Sequence, residues 1–517
     1  MSPCGPARNP ASRRIVPFVV MLALLAGLGA AGARAAAAPA GQELMIRVVR
    51  DVLNMDPAHI TTTEDHSLAF VVYSGLVKLK TGSISEIEPD LAIRWEISPD
   101  GRVYTFQLRR GVKWQKGYGT FTAADVKYSI ERIMDRRTGS RFRGDYALVD
   151  RVETDGDYAV RIHLRQPFPA FLTSVLAYRP GLIVNQRAVT EKGEAYVSDP
   201  IGTGPFVFER RVPGQRMVLA RNPDYYGNAG RLARVTFKII MPDPLAEIAL
   251  RTGEAQLAYI DDPEIQRRVM RQQNLRHEII DSIRTYMIYV HLGKKPWSDV
   301  RVRQALMYAL DRQAIATHVM RGMAKPANSI LNPNVFGYSA EDAYRHDPQR
   351  ARALLAEAGV RGARAELYTA NIIKLPDMAA VIKENFKAVG VEMGINIFEF
   401  ALWMQQTRGE RHDLSLTANA RIDADQYYFP LLHSSARPYP NASHYMAIDR
   451  EIEAARVAVN PAARRDLYAR IHRKLLEDVP MLPVVYPRFV MAMRPEVQGA
   501  KMGPTITYNL ADISIKQ

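Results

Sequence analysis

Beyond Cys4 the chain has no cysteine in 517 residues. Whatever it folds into is held by burial rather than by disulfides, which demands a core of some size. The segment around Cys4 explains why. Met1 to Asn9 is polar and basic with Arg8, and Arg13 and Arg14 follow. An apolar run from Ile15 to Ala33 comes next. It exits through small residues, Ala33-Arg34-Ala35 and Ala38-Pro39-Ala40. Basic, apolar and small-residue segments in that order read as a secretory signal peptide over residues 1–40. A membrane anchor is the competing reading. Pro17, Gly27, Gly29 and Gly32 interrupt the run, and no basic stop-transfer flank follows it. Arg13-Arg14 leaves both Sec and twin-arginine export open. Cys4 lies upstream of the apolar run, where it cannot become a lipid-bearing mature N-terminus. The expected location is the periplasm, free of the membrane.

The length predicts about three domains of ordinary size. Removing Arg8, Arg13, Arg14 and Arg34 takes the net charge from +15 to +11. A basic chain can serve nucleic acid or an anionic membrane. Here the arginines are scattered in pairs such as Arg109-Arg110, Arg136-Arg137, Arg210-Arg211 and Arg464-Arg465, without a stripe of interleaved aromatics. That pattern is a solvated arginine-rich surface, and no nucleic-acid partner is expected.

Strands and helices alternate along the rest. Residues 43–49 read as a first strand. Ser98-Pro99-Asp100-Gly101 turns a hairpin whose return strand places Tyr104, Phe106 and Leu108 on one face. A second hairpin turns at Asp155-Gly156, with Val160, Ile162 and Leu164 on one face and His163 facing solvent. Thr122 and Asp125 form a capping box before Val126, Ile130 and Ile133. Ser298 is placed to cap a helix that ends near Gly322. Asp347-Pro348 and Asn460-Pro461 open two more. Residues 481–486 read as a strand. The mixture predicts an α/β class with antiparallel additions.

No motif nominates a catalytic group. H-E-x-x-H, G-x-S-x-G and G-x-x-x-x-G-K-[ST] are all missing. Gly202-Thr203-Gly204-Pro205 imitates a phosphate loop but lacks the third glycine, and Pro205 would break the cradle. The eleven histidines stand singly in sequence. No catalytic residue, no cofactor and no metal ligand is expected.

Several phrases in one order resemble the family 5 extracellular solute-binding proteins of ABC importers, the peptide, nickel and opine binders. They run from about residue 44 to the C-terminus. They include Glu88-Pro89-Asp90-Leu91-Ala92 with Trp95, and Ser98-Pro99-Asp100-Gly101 leading to Tyr104-Thr105-Phe106. Gly111-Val112-Lys113-Trp114, Pro200-Ile201-Gly202-Thr203-Gly204-Pro205-Phe206 and Asn222-Pro223-Asp224-Tyr225-Tyr226 follow. Asp299-Val300-Arg301-Val302-Arg303-Gln304-Ala305 and Leu476-Glu477-Asp478-Val479-Pro480 complete the series. Turn and cap chemistry explains most of these phrases as scaffold.

The resemblance implies a two-lobed periplasmic-binding-protein fold, type II and of the large peptide-binder type, closing by hinge motion. The first lobe would hold residues 41–283 plus 483–517, with an extra subdomain near 87–195. The second would hold 284–482, with crossings near Ser282–Tyr286 and Val479–Val485. In peptide-binding relatives a tryptophan and an aspartate, three residues apart, contact the ligand, and the aspartate pairs with its α-amine. Here those positions carry Ala418 and Arg421, within Asn419-Ala420-Arg421-Ile422-Asp423-Ala424-Asp425. A guanidinium there would hold a carboxylate or phosphate and repel an ammonium. Asp423 and Asp425 either take an amine or hold Arg421 in place; an internal Arg421–Asp423 pair is the alternative without a ligand. Further contacts implied by the resemblance are Thr61, Thr62, Thr63, Phe142 with its neighbours Arg141 and Arg143, and the stretch Tyr368 to Asn371 as a strand edge offered to peptide backbone. Trp403 reads equally well as core.

Together these features point to a receptor that binds a small solute or peptide and passes it to an inner-membrane ABC permease, acting as a monomer. Two alternatives stand beside it: an exported hydrolase with dispersed catalytic residues, and a metal-chelate or haem receptor of the same family, for which His59, His66 and His433 are the isolated candidates.

Overall fold

Met481–Met493 is the spine of the molecule. All but one of its thirteen residues are buried, as expected of a central strand covered on both faces. Its first half pairs antiparallel with Arg284–Val290, through Met481 to Val485. Its second half pairs antiparallel with Arg276–Asp281, through Arg488 to Met493, and with Leu257–Ile260. Beyond Leu257–Ile260 lie Gln42–Val48 and Leu232–Ile239, parallel to one another. Beyond Arg284–Val290 lie Leu414–Ala420, Ala363–Ala370 and Val391–Phe398. The computed structural model describes residues 42–60 and 62–516, and among them these strands belong to one sheet of twelve. The leader assigned to residues 1–40 lies outside the described residues. The expected strand at 481–486 is thus seven residues too short. Its polar-looking continuation, Pro487-Arg488, hides inside an otherwise apolar run.

A separate four-stranded antiparallel sheet holds the two predicted hairpins, in the spatial order Ala92–Ile97, Val103–Leu108, Ala159–Leu164, Val149–Thr154. Tyr104, Phe106, Leu108, Val160, Ile162 and Leu164 are all buried on its inner face. His163 departs from expectation. It is half-buried, with Nε2 at 2.9 Å from a carboxylate oxygen of Glu153 on the paired strand, because a cross-strand acid covers it.

Helix ends follow capping chemistry. Thr122 and Asp125 close the expected box on Ala123–Met134. Asn460 accepts from Ala462 and Ala463 at the start of Pro461–Asp478. Asp347 does the same for Pro348–Glu357. Ser298 is not a cap: Asp299 accepts from the Arg301 N–H and opens Val300–Ala309. That helix stops at Leu310 rather than near Gly322, because Asp311 caps a new turn at Arg312–Ala314.

The apolar interior divides. One core gathers Leu44, Ile46 and Phe106 with Phe489 and Met491. Another gathers Ile288, Leu306, Leu367, Phe386 and Leu416 with Val485. A third, around Tyr427, Tyr428 and Tyr468, also takes in Ile84 and Tyr178.

Candidate functional site

Leu414–Ala420 is wedged between two strands, so the residue after it is aimed by the sheet. That residue is Arg421, which is exposed and enters no salt bridge among the described residues. Two positions on, Asp423 turns inward. Its side chain accepts from the Asp425 N–H at 2.8 Å and caps Ala424–Leu432. Arg464 clamps the same carboxylate, Nη2 to Oδ1 at 2.6 Å and Nη1 to Oδ2 at 3.1 Å. The rings of Phe336 and Tyr468 lie 5.0 and 5.1 Å from that guanidinium. The internal Arg421–Asp423 pair therefore does not form. A buried carboxylate needs a buried counter-charge, and Arg464 supplies it from 41 residues away.

Around Arg421 the field is set by charges from distant parts of the chain. Asp145 is half-buried, and burial pushes its carboxyl up to about 6 against the pull of Arg421, Arg141 and Arg456. Burial holds the Arg141 guanidinium down, and the nearby charges of Arg179 and Arg421 add to this. Arg179 lies 5.3 Å from the Tyr178 ring, and its Nε is buried without a hydrogen-bond partner. Arg456 sits 3.9 Å over the Phe429 ring and 5.2 Å over Phe168, with Nε at 3.7 Å from Asp425 Oδ1. Asp425 is buried, and desolvation also raises it to about 6. Beside Arg179, His66 and Tyr178 help wall a cavity of about 440 Å³ shared with Lys78, Asp90 and Tyr226. Four guanidiniums and two carboxyls raised to about 6 thus interact around Arg421, and the cavity lies on the far side of Arg179, walled by other residues.

The other sequence-derived residues fall in different places. Asn419, two residues before Arg421 on the strand Leu414–Ala420, donates to the Tyr289 hydroxyl at 2.9 Å. Phe142 is buried beneath Arg141, 5.8 Å from its guanidinium, in the same loop as Asp145. Thr62 caps Thr63–Val72 through a box with Asp65, and Thr63 opens that helix. Thr61 lies outside the described residues. Asn371 is exposed and donates its N–H to the Phe398 carbonyl at 2.7 Å. The strand edge expected at 368–371 is not open: Tyr368 and Thr369 pair with Asn396 and Ile397 on one side and with Ser415 and Leu416 on the other. Trp403 is core, donating from Nε1 to Ser415 Oγ at 3.1 Å. His59, His66 and His433 join no group of three metal-binding side chains among the described residues. Sequence reasoning missed Asp145, Arg179 and Arg456. No local spacing marks them, since each comes from a different element.

The chain was compared with known proteins. The middle region of the bacterial extracellular solute-binding proteins, family 5, matches residues 86–439. A di/tripeptide-binding protein 4 of Pseudomonas aeruginosa is 32% identical over 87% of this chain and 90% of its own length. The dipeptide-binding protein of Escherichia coli is 26% identical over 88% and 91%. Among solved structures, a periplasmic binding protein of Helicobacter pylori in complex with the peptide STSA superposes at a TM-score of 0.81. It is 26% identical and covers 92% of this chain and 98% of its own. The fold is the type II periplasmic-binding-protein fold of the peptide-binder kind. The match over most of its length, and a relative that shares 87% of it at 32% identity, show that this chain belongs to the family 5 bacterial extracellular solute-binding proteins.

Proposed function

We propose that the chain is the periplasmic substrate-binding component of an ABC importer. It captures a peptide or amino-acid-derived solute between two lobes, 41–283 with 483–517 and 284–482, and delivers it chemically unchanged to the inner-membrane permease. The division of the interior into separate apolar cores supports that lobe assignment. Ile84 and Tyr178, which pack into the third core, act as the contact that holds the lobes closed.

The observation that carries the reading is Arg421, a guanidinium that enters no salt bridge among the described residues, facing the charges of Asp145 and Arg141. Arg421 takes the carboxylate of the solute. Asp145 takes the ammonium, so the acid that relatives place after the strand has a substitute in another element. Binding of an ammonium favours the ionised carboxylate, against the upward push of burial. The relatives named above support a peptide as the solute, and no residue here is assigned a catalytic role.

Isothermal titration calorimetry with a free dipeptide, its N-acetylated form and its C-terminal amide tests this. Both blocked forms bind more weakly, and mass spectrometry finds the dipeptide intact after incubation. Equal affinity for all three, or a cleaved product, would overturn the assignment.

A further inference from the structure

We propose that the end of the sheet opposite Arg421 carries a second site, built by His291, His444 and Glu410 and backed by His412, for one divalent transition-metal ion of the zinc class. His412 precedes Leu414–Ala420 and Arg421 follows it, so about 25 Å separates the two ends at roughly 3.3 Å per residue. The site is therefore distinct from the solute site and stands whether or not that reading does.

Long-range pairing assembles it. His291 follows Arg284–Val290 and donates its N–H to the Asp413 carbonyl at 2.9 Å, which brings it beside His412. The Leu292 N–H donates to the Ser443 carbonyl at 3.0 Å, which brings in His444. The His291 and His444 rings stack at 4.2 Å, and the His412 ring lies 5.3 Å from His291. Glu410 Oε2 sits 4.0 Å from His291 Nε2 and 3.7 Å from His444 Nε2. One donor atom from each of these three residues falls within 4.8 Å of the others. Ligands at about 2.0 Å from a tetrahedral ion stand roughly 3.3 Å apart, so closure draws Glu410 in by less than about 1 Å and the widest pair by at most about 1.5 Å.

The buried nitrogens are the second observation. His291, 4% exposed, has no hydrogen-bond partner on either ring nitrogen. His412, fully buried, donates from Nε2 to the Ala442 carbonyl at 3.1 Å and leaves Nδ1 unpaired. His444 Nε2 is likewise unpaired. Such atoms are rare in folded interiors and call for a partner.

The surroundings choose the metal. The exposed Arg437 guanidinium lies 3.0 Å from His444 Nδ1 and must swing aside when Nε2 binds metal. Lys294 is turned to the Arg411 and His412 carbonyls. With two cations near and one carboxylate, the site suits an ion held by imidazole nitrogen, not magnesium or calcium, which demand oxygen. Glu410 is exposed and opens the path from solvent.

Calorimetric titration of the untagged exported chain with zinc chloride tests this. One equivalent binds, magnesium chloride gives no heat, and Glu410→Gln and His444→Gln each weaken zinc at least about tenfold. Glu410→Gln keeps the dipeptide affinity, and Arg421→Ala keeps the zinc affinity. No stoichiometric binding by the unaltered chain, or equal affinity in both site variants, would overturn the proposal. Glu410→Gln, a surface change, keeps the test valid if a buried histidine variant fails to fold.

Discussion

Arg464 and Asp423 form a two-pronged ion pair in which both side chains are 5% exposed, and the same carboxylate caps the helix that begins just after Arg421. One interaction thus fixes both a helix start and the end of the short link that carries Arg421. Asp423→Ala removes the cap and strands a buried cation, which costs about 3–5 kcal/mol. Urea unfolding measures this. The double variant Asp423→Ala with Arg464→Met loses less than the sum of the two single changes, because no unpaired charge remains. Additive losses would show that the pair does not act as a unit.

Arg421→Ala weakens binding of a dipeptide by at least about 1.5 kcal/mol, the low end for a hydrogen bond to a charged group. Stability should hardly change, since Arg421 is exposed and enters no salt bridge among the described residues. Calorimetry together with thermal unfolding separates the two quantities. An unchanged affinity in a folded variant removes Arg421 from the site.

Asp145 and Asp425 lie near 6 in the folded chain, against an ordinary carboxylate value of 3.8. Between those values the folded state holds more protons than the unfolded one. Their contribution is therefore present below 3.8 and is lost as pH rises through about 6. Affinity for a ligand ammonium runs the other way, rising over the same interval as Asp145 ionises. Denaturant titrations across this range check the first trend; Asp145→Asn removes its share of that trend, leaving that of Asp425, and flattens the second. A variant with an unaltered pH profile would show that Asp145 does not titrate there.

Gly202→Ala destabilises the chain by about 1–3 kcal/mol, the cost of overpacking. A Cβ at this position would stand 2.0 Å from the Val72 carbonyl oxygen, and the loop is held there by Gln115, whose Oε1 accepts from the Gly202 N–H at 3.1 Å. The glycines of Gly202-Thr203-Gly204-Pro205 serve close backbone approach, not a phosphate. Thermal unfolding of the variant checks this, and an unshifted midpoint contradicts the contact.

Much was legible before any coordinates. Period-two alternation gave the inner face of Val103–Leu108 and Ala159–Leu164, and side-chain caps gave the starts of Ala123–Met134, Pro348–Glu357 and Pro461–Asp478. These depend on neighbours a few residues away, so the chain states them directly. Ordered phrases gave the family. Choosing between adjacent caps was harder: Ser298 and Asp299 carry the same chemistry, and only the path of the chain selects one.

What the sequence by itself determined is local: which segments alternate, where helices begin, and that no disulfide can hold the chain past Cys4. Which charge meets which was decided by the tertiary structure. Asp423 is closer in sequence to Arg421, yet Arg464 neutralises it, because only the two buried groups share a dry environment. His291, His412 and His444 stand singly along the chain and become neighbours when Arg284–Val290 pairs with Leu414–Ala420 and Ser443 meets Leu292. Contacts of that kind depend on how distant strands register, and no short-range pattern encodes a register that a buried sheet imposes.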